Sequence, residues 1–200
     1  MSLVELRNAS HLWVGSAGLH PIDLRVDRGE LVVVRGRSGS GKSTLLALLA
    51  GLCATDTGEV LVDGRTPAAD SPWSHIAIVP QVLALAVELS VRENITDSAP
   101  GAGDWVDTLL ATLHIDDLAA RTINEISMGQ QQRVAVARAM AARPDLLLAD
   151  EPTSFQDDAH TAVVATALRG AAAAGAAVLV ATHDPAMTAA ADRVVEITST

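Results

Sequence analysis

The sequence predicts an α/β fold with a mostly parallel sheet at its centre. Three observations lead there. Aliphatic runs of strand length recur at residues 31–34, 76–79, 146–149, 177–180 and 194–197, and such runs read as strands buried on both faces. Segments of helical composition lie between several of them, as parallel crossovers require. The first of these runs leads into a glycine-rich loop and then a Leu/Ala-rich segment, in the order strand, loop, helix. Two hundred residues suit one such domain.

The elements follow in order. Residues 3–7 and 22–26 alternate apolar with polar and read as strands with one wet face. Asp27-Arg28-Gly29-Glu30 turns the chain into the run at 31–34. Residues 45–50 are rich in Leu and Ala and read as a helix. A short strand at 59–62 ends at Asp63-Gly64, a strong turn signal. These outer pieces predict a small antiparallel sheet beside the core. The strand at 76–79 is stopped by Pro80. Residues 81–142 show a helical pattern and no clear strand, with the best helices at 106–113 and 130–142. A helix at 159–174 separates the runs at 146–149 and 177–180, and the alanines at 171–177 read as its end. The expected organisation is one domain over residues 1–200. About 1–80 and 144–200 form the core with its antiparallel part, and about 82–143 an inserted helical subdomain.

Composition narrows the function. Hydrophobic residues make up 49% of the chain and aromatics 2%, so aliphatics and alanine fill the core. The formal net charge of −10 opposes general binding of nucleic acid, whose phosphates would be repelled. Cys53 stands alone, which excludes a disulfide framework, fits a reducing compartment and reads as a small buried apolar residue. Glu5 and Arg7 interrupt the start and no apolar segment of signal-peptide type follows. The longest apolar stretch, 170–181, is too short to span a bilayer. Any link to a membrane would run through a partner.

The chemistry concentrates at four places. The loop Gly36-Arg37-Ser38-Gly39-Ser40-Gly41-Lys42-Ser43-Thr44 fits G-x-x-x-x-G-K-[ST] and holds the single lysine of the chain. Glycines let backbone N–H groups face a polyphosphate, and the following helix N-terminus adds its dipole. Lys42 would bridge the β- and γ-phosphates, and the Ser43 hydroxyl would ligate Mg²⁺. The run at 146–149 ends in Asp150-Glu151. Alone, two acids at a strand end are equally compatible with a solvated cap. Beside the phosphate loop, Asp150 reads as a Mg²⁺ holder and Glu151 as the group that polarises an attacking water. Ser127 with Gln130 forms a capping box that starts a helix, stopped near Arg143 by Pro144. His183, after the run at 177–180, can meet the same phosphate as the loop.

This ordered set closely resembles the ATP-binding cassette (ABC) ATPases, nearest the lipoprotein-releasing and macrolide-exporter type. The resemblance rests on the phosphate loop, Gln81 after Val79-Pro80, Ile126-Ser127-Met128-Gly129-Gln130, the acidic strand with Glu151-Pro152-Thr153-Ser154, Asp157, and Thr182-His183-Asp184-Pro185. It covers essentially the whole chain. It implies a P-loop NTPase fold whose mostly parallel core carries a small antiparallel β subdomain and an inserted helical subdomain. It also implies ATP hydrolysis with Mg²⁺, and two ATP molecules held between two subunits, identical or paired, arranged head to tail. Ser127, Gly129 and Gln130 would then face the phosphate held by the other subunit. Trp13 would stack on adenine, or else sit in the core. Gln81 would touch Mg²⁺ and the attacking water. The helical subdomain would receive an integral membrane permease on a separate chain, placing the protein in the cytoplasm, peripheral on the membrane face. A soluble ABC ATPase outside transport, or an ATP-dependent clamp with little turnover, are the alternatives. Two departures stand out. Met128 replaces the family's first signature glycine, and Phe155-Gln156 replaces its usual Ala-Leu before Asp157.

Overall fold

A computed structural model describes residues 2–13 and 17–198. The outer sheet is antiparallel, in the order β2-β1-β4, from β1 (Ser2–Leu12), β2 (Gly18–Asp27) and β4 (Thr57–Val62). The central sheet is parallel throughout, in the order β5-β6-β7-β3-β8. Its strands are β3 (Leu31–Arg35), β5 (Ile76–Val79), β6 (Leu146–Asp150), β7 (Ala177–Ala181) and β8 (Arg193–Glu196). The helices are α1 (Lys42–Leu49), α2 (Val91–Asp97), α3 (Gly103–Thr112), α4 (Met128–Ala141), α5 (Asp158–Ala173) and α6 (Pro185–Ala190).

Strand alternation divides the core into two parts. Val32, Val34, Leu146, Leu148, Leu179 and Ala181 point to one face, where they pack with Leu45, Leu46, Leu48 and Leu49 of α1 and with β1 and β2. Leu31, Val33, Leu147, Ala149, Val178 and Val180 point to the other, against α2, α3, α4 and α5. Successive side chains of a strand face opposite ways, so an unbroken aliphatic run serves both layers at once. α1 is thus sandwiched between the two sheets.

Several elements depart from the expectation. β1 and β2 are longer than their alternating stretches, because pairing with each other extends them. α1 begins at Lys42, three residues earlier than composition suggests. α2 falls inside the helical stretch expected at 81–142 without being singled out there, and α6 was not foreseen. Each is short, and each starts at a side-chain cap, Ser90 and Asp184. α4 ends at Ala141, with Arg143 in the left-handed region at φ 48 before Pro144. The alanine run is not all helix end, because Gly175 turns it and Ala177 already opens β7. Cys53 is half-buried rather than buried, and burial together with Asp56 pushes its thiol pKa up.

Candidate active site

The candidate groups leave the C-terminal ends of parallel strands, where open α/β sheets place ligand crevices. The glycine-rich loop follows β3, Gln81 follows β5, Asp150 closes β6 with Glu151 next, and Thr182 and His183 follow β7. β7 lies between β3 and β6, with Ala181 level with both Val34 and Asp150. That register brings loop, acids and histidine to one height. They line a cavity of about 590 Å³ together with Trp13, Gly36, Ser38, Gly39, Gly41, Lys42, Ser43, Thr44 and Gln81. A larger hollow of about 890 Å³, between Trp73 and Trp105, lies away from these groups.

The loop's shape depends on Gly41. It sits at φ 98, and a Cβ there would stand 2.5 Å from the Gly18 carbonyl oxygen. Only glycine allows the loop to lie so close to β2. No side chain caps α1, so the N–H groups of its first turn remain available to an anion. The Lys42 ammonium donates to the carbonyls of Gly36 (2.9 Å) and Arg37 (3.4 Å), which holds it across the loop. Ser40 lies deeper than the other side chains of the expected loop set. It is 1% exposed, and its side chain packs beneath the loop where a Cβ on Gly36 would stand 2.4 Å from its Oγ. It supports the cradle from below and does not line the cavity.

The acids occupy different surroundings. Burial is the largest influence on Asp150 and pushes its carboxyl above the ordinary value. The Ser43 hydrogen bond and the Lys42 charge pull it back, while Glu151 adds to the rise. Glu151 has a left-handed backbone, φ 48, secured by its N–H donating to the Ala181 carbonyl (2.8 Å). Its Oε2 accepts from the Thr182 hydroxyl (2.8 Å). Its Oε1 lies 3.0 Å from Nδ1 of His183. The His183 side chain is 83% exposed and the Glu151 side chain 15%. A carboxylate fixed at one oxygen by Thr182 and paired at the other with a solvent-facing imidazole can take the proton of a water when that exposed imidazole turns aside.

Sequence reasoning missed Thr182. It is fully buried, donates to Glu151 and accepts from the Asp184 N–H (3.1 Å). A hydroxyl directly before the histidine was the available signal. Trp13 is not a core tryptophan. It is 51% exposed at the cavity rim, and its indole N–H donates to Thr44 Oγ1 (3.1 Å). Ser127, Gly129 and Gln130 are not among the residues lining this cavity. They form the start of α4, where Ser127 Oγ accepts from the Gln130 N–H (3.3 Å) and Gln130 Oε1 from the Ser127 N–H (2.8 Å).

Known proteins share this fold and much of this sequence. The family described as ABC transporter matches residues 19–154. The lipoprotein-releasing system ATP-binding protein LolD of Porphyromonas gingivalis is 32% identical over 210 residues, 98% of this chain and 96% of that protein. The macrolide export ATP-binding/permease protein MacB of Psychrobacter arcticus is 35% identical over 193 residues, 90% of this chain; the chain spans only 29% of that longer protein. Among solved structures, a dimeric ATP-binding cassette in a post-hydrolysis state bound to ADP and Pi superimposes with a TM-score of 0.86 at 28% identity, covering 97% of this chain and 94% of the other.

Proposed function

The chain belongs to the ABC transporter family and is an ATP-binding, ATP-hydrolysing cassette, and on that premise we propose that it powers a membrane permease carried on a separate chain, through ATP-driven pairing of two cassettes. Three findings support this reading. LolD, a relative matched over nearly its full length, is by name the ATP-binding protein of a releasing system. No helix among the described residues is long and apolar enough to cross a membrane. The start of α4, with Ser127, Gly129 and Gln130, lies apart from the cavity, which leaves those residues free to face a nucleotide held by a second cassette in the proposed pair.

One observation carries the chemistry: the single lysine and the Glu151–His183 pair share one cavity at the strand ends. ATP would lie with its phosphates on the loop N–H groups and Lys42, and its adenine against Trp13. A water beside Glu151 attacks the γ-phosphorus as the carboxylate takes its proton. The bond from the γ-phosphorus to the bridging oxygen breaks, and ADP leaves with that electron pair. Lys42 and the α1 N-terminus offset the charge that develops on the leaving oxygen. His183 contacts the γ-phosphate, and Gln81 orients the water. The Ser43 hydroxyl, the buried Asp150 carboxylate and Gln81 are hard oxygen donors, which fit Mg²⁺ bound with nucleotide phosphates. The helices between β5 and β6 form the surface that receives the permease.

The test is Glu151→Gln. A positioned general base contributes roughly 10²–10⁴ in rate, so turnover should fall by that factor with ATP affinity retained. Light scattering should find the variant as an ATP-bound dimer. Turnover near that of the parent protein would overturn the assignment of Glu151. A variant that binds ATP and stays monomeric at every concentration would overturn self-pairing in favour of a different partner cassette.

A further inference from the structure

We infer that Gln156 is a positioning residue that locks the start of α4 to the loop carrying Glu151, so that the two move as one unit. Its amide bridges both. Nε2 donates to the Gly129 carbonyl (2.7 Å), and Oε1 accepts from the Arg133 guanidinium (2.8 Å). Both contacts cross from the loop after β6 to the first two turns of α4, more than twenty residues earlier in the chain.

The surroundings make this bridge hard to replace. Arg133 is 5% exposed, and its Nε has no hydrogen-bond partner. Burial lowers its pKa, while Asp157 and Asp117 oppose that shift. The Gln156 oxygen therefore satisfies a desolvated cation that has few alternatives. Loop and helix also touch directly. A Cβ at Gly129 would stand 2.6 Å from the Phe155 carbonyl oxygen, so only glycine lets them approach this closely.

The loop itself is short and pinned at both ends. Ser154 N–H donates to the Glu151 carbonyl (3.1 Å), and Gln156 N–H to the Thr153 carbonyl (3.2 Å). Glu151 is held by Thr182, and Asp157 caps α5 by accepting from the His160 N–H (2.8 Å). A displacement of α4 is thereby passed through Gln156 to the carboxylate five residues away. Gln156 does not line the cavity, so it acts through Glu151 and α4.

The inference rests on the ATPase reading for its kinetic consequence and on geometry alone for its mechanical one. The test uses the full chain with Gln156→Leu, which removes both bonds, and Gln156→Glu, which keeps an acceptor for Arg133. Amide hydrogen exchange on nucleotide-free protein is read in peptides covering residues 127–133 and 153–157. In the Leu variant both segments should exchange about fivefold faster and together. Its kcat should fall about tenfold, the rate equivalent of one hydrogen bond to a charged group, with the KM for ATP held within about twofold. The Glu variant should recover most of the turnover and protection at 153–157. Unchanged exchange in both segments of the Leu variant would overturn the lock, as would a KM that moves as far as kcat. Should the Leu variant fail to fold, faster exchange confined to 127–133 in the Glu variant supports the lock, and unchanged exchange there overturns it. A parent protein without turnover would defeat the ATPase reading, while the exchange data would still decide the lock.

Discussion

Two side chains dominate at the scale of single residues. Lys42 is the only lysine, and its ammonium already rests on two loop carbonyls. Nucleotide phosphates would take over those contacts at small reorganisation cost. Lys42→Ala should weaken ATP binding about 10- to 100-fold, the loss of charged hydrogen bonds, measured by calorimetry. Equal affinity would remove the loop from the binding site. Thr182 matters differently. It is buried, and its hydroxyl fixes one oxygen of the Glu151 carboxylate. Thr182→Val keeps the volume but leaves the carboxylate oxygen without its donor. Turnover should drop while ATP affinity stays, with a stability loss of about 1–3 kcal/mol in urea unfolding. Loss of affinity equal to the loss of turnover would argue against this positioning role.

At the scale of elements, α4 is the informative one. Its start is closed by a reciprocal capping box between Ser127 and Gln130. Met128 sits just inside that start and is 49% exposed, so the helix does not depend on its packing. Met128→Gly should change stability by no more than about 1 kcal/mol and keep or raise ATPase activity. A large fall in activity would give the methionine a role of its own where a partner covers it. Phe155, 71% exposed, stands on the adjoining loop. Both are large, exposed apolar residues that depart from the family pattern on adjoining segments.

For the whole molecule, acid sensitivity is legible from the charges that join layers. Asp192 accepts from the Leu31 N–H at the start of β3 (2.8 Å) and from Arg169 of α5. The Leu31 hydrogen bond, then Arg169, hold its carboxyl below the ordinary value of 3.8. A lowered folded pKa contributes stability above 3.8, lost as pH falls through the folded value. Asp145 behaves alike: burial opposes the shift, and the hydrogen bonds from Arg28 and His75 outweigh it. The melting temperature should therefore fall below about pH 4. Asp192→Asn should lower it at pH 7 and flatten that acid decline. An unchanged decline would place acid sensitivity elsewhere.

The sequence by itself determined the fold class and named most of the candidate site. The aliphatic runs and the loop pattern are local signals, and β3, β5, β6, β7 and β8 formed within a residue or two of the expected runs. The loop, Asp150, Glu151 and His183 were named before any geometry, because each stands where an apolar run ends. Three things were decided only by tertiary structure. β1 and β2 reach their full length through pairing across the outer sheet, a non-local gain that no window of residues contains. Thr182 and Ser40 look alike as small hydroxyl residues beside motifs. Burial alone turns one toward Glu151 and the other under the loop. Gln156 stood out only as a departure from the family's loop pattern, and only the approach of α4 at Gly129 gives its amide two partners. Hydrogen bonds between segments far apart in sequence depend on how layers meet, and that geometry is set by packing rather than by local pattern.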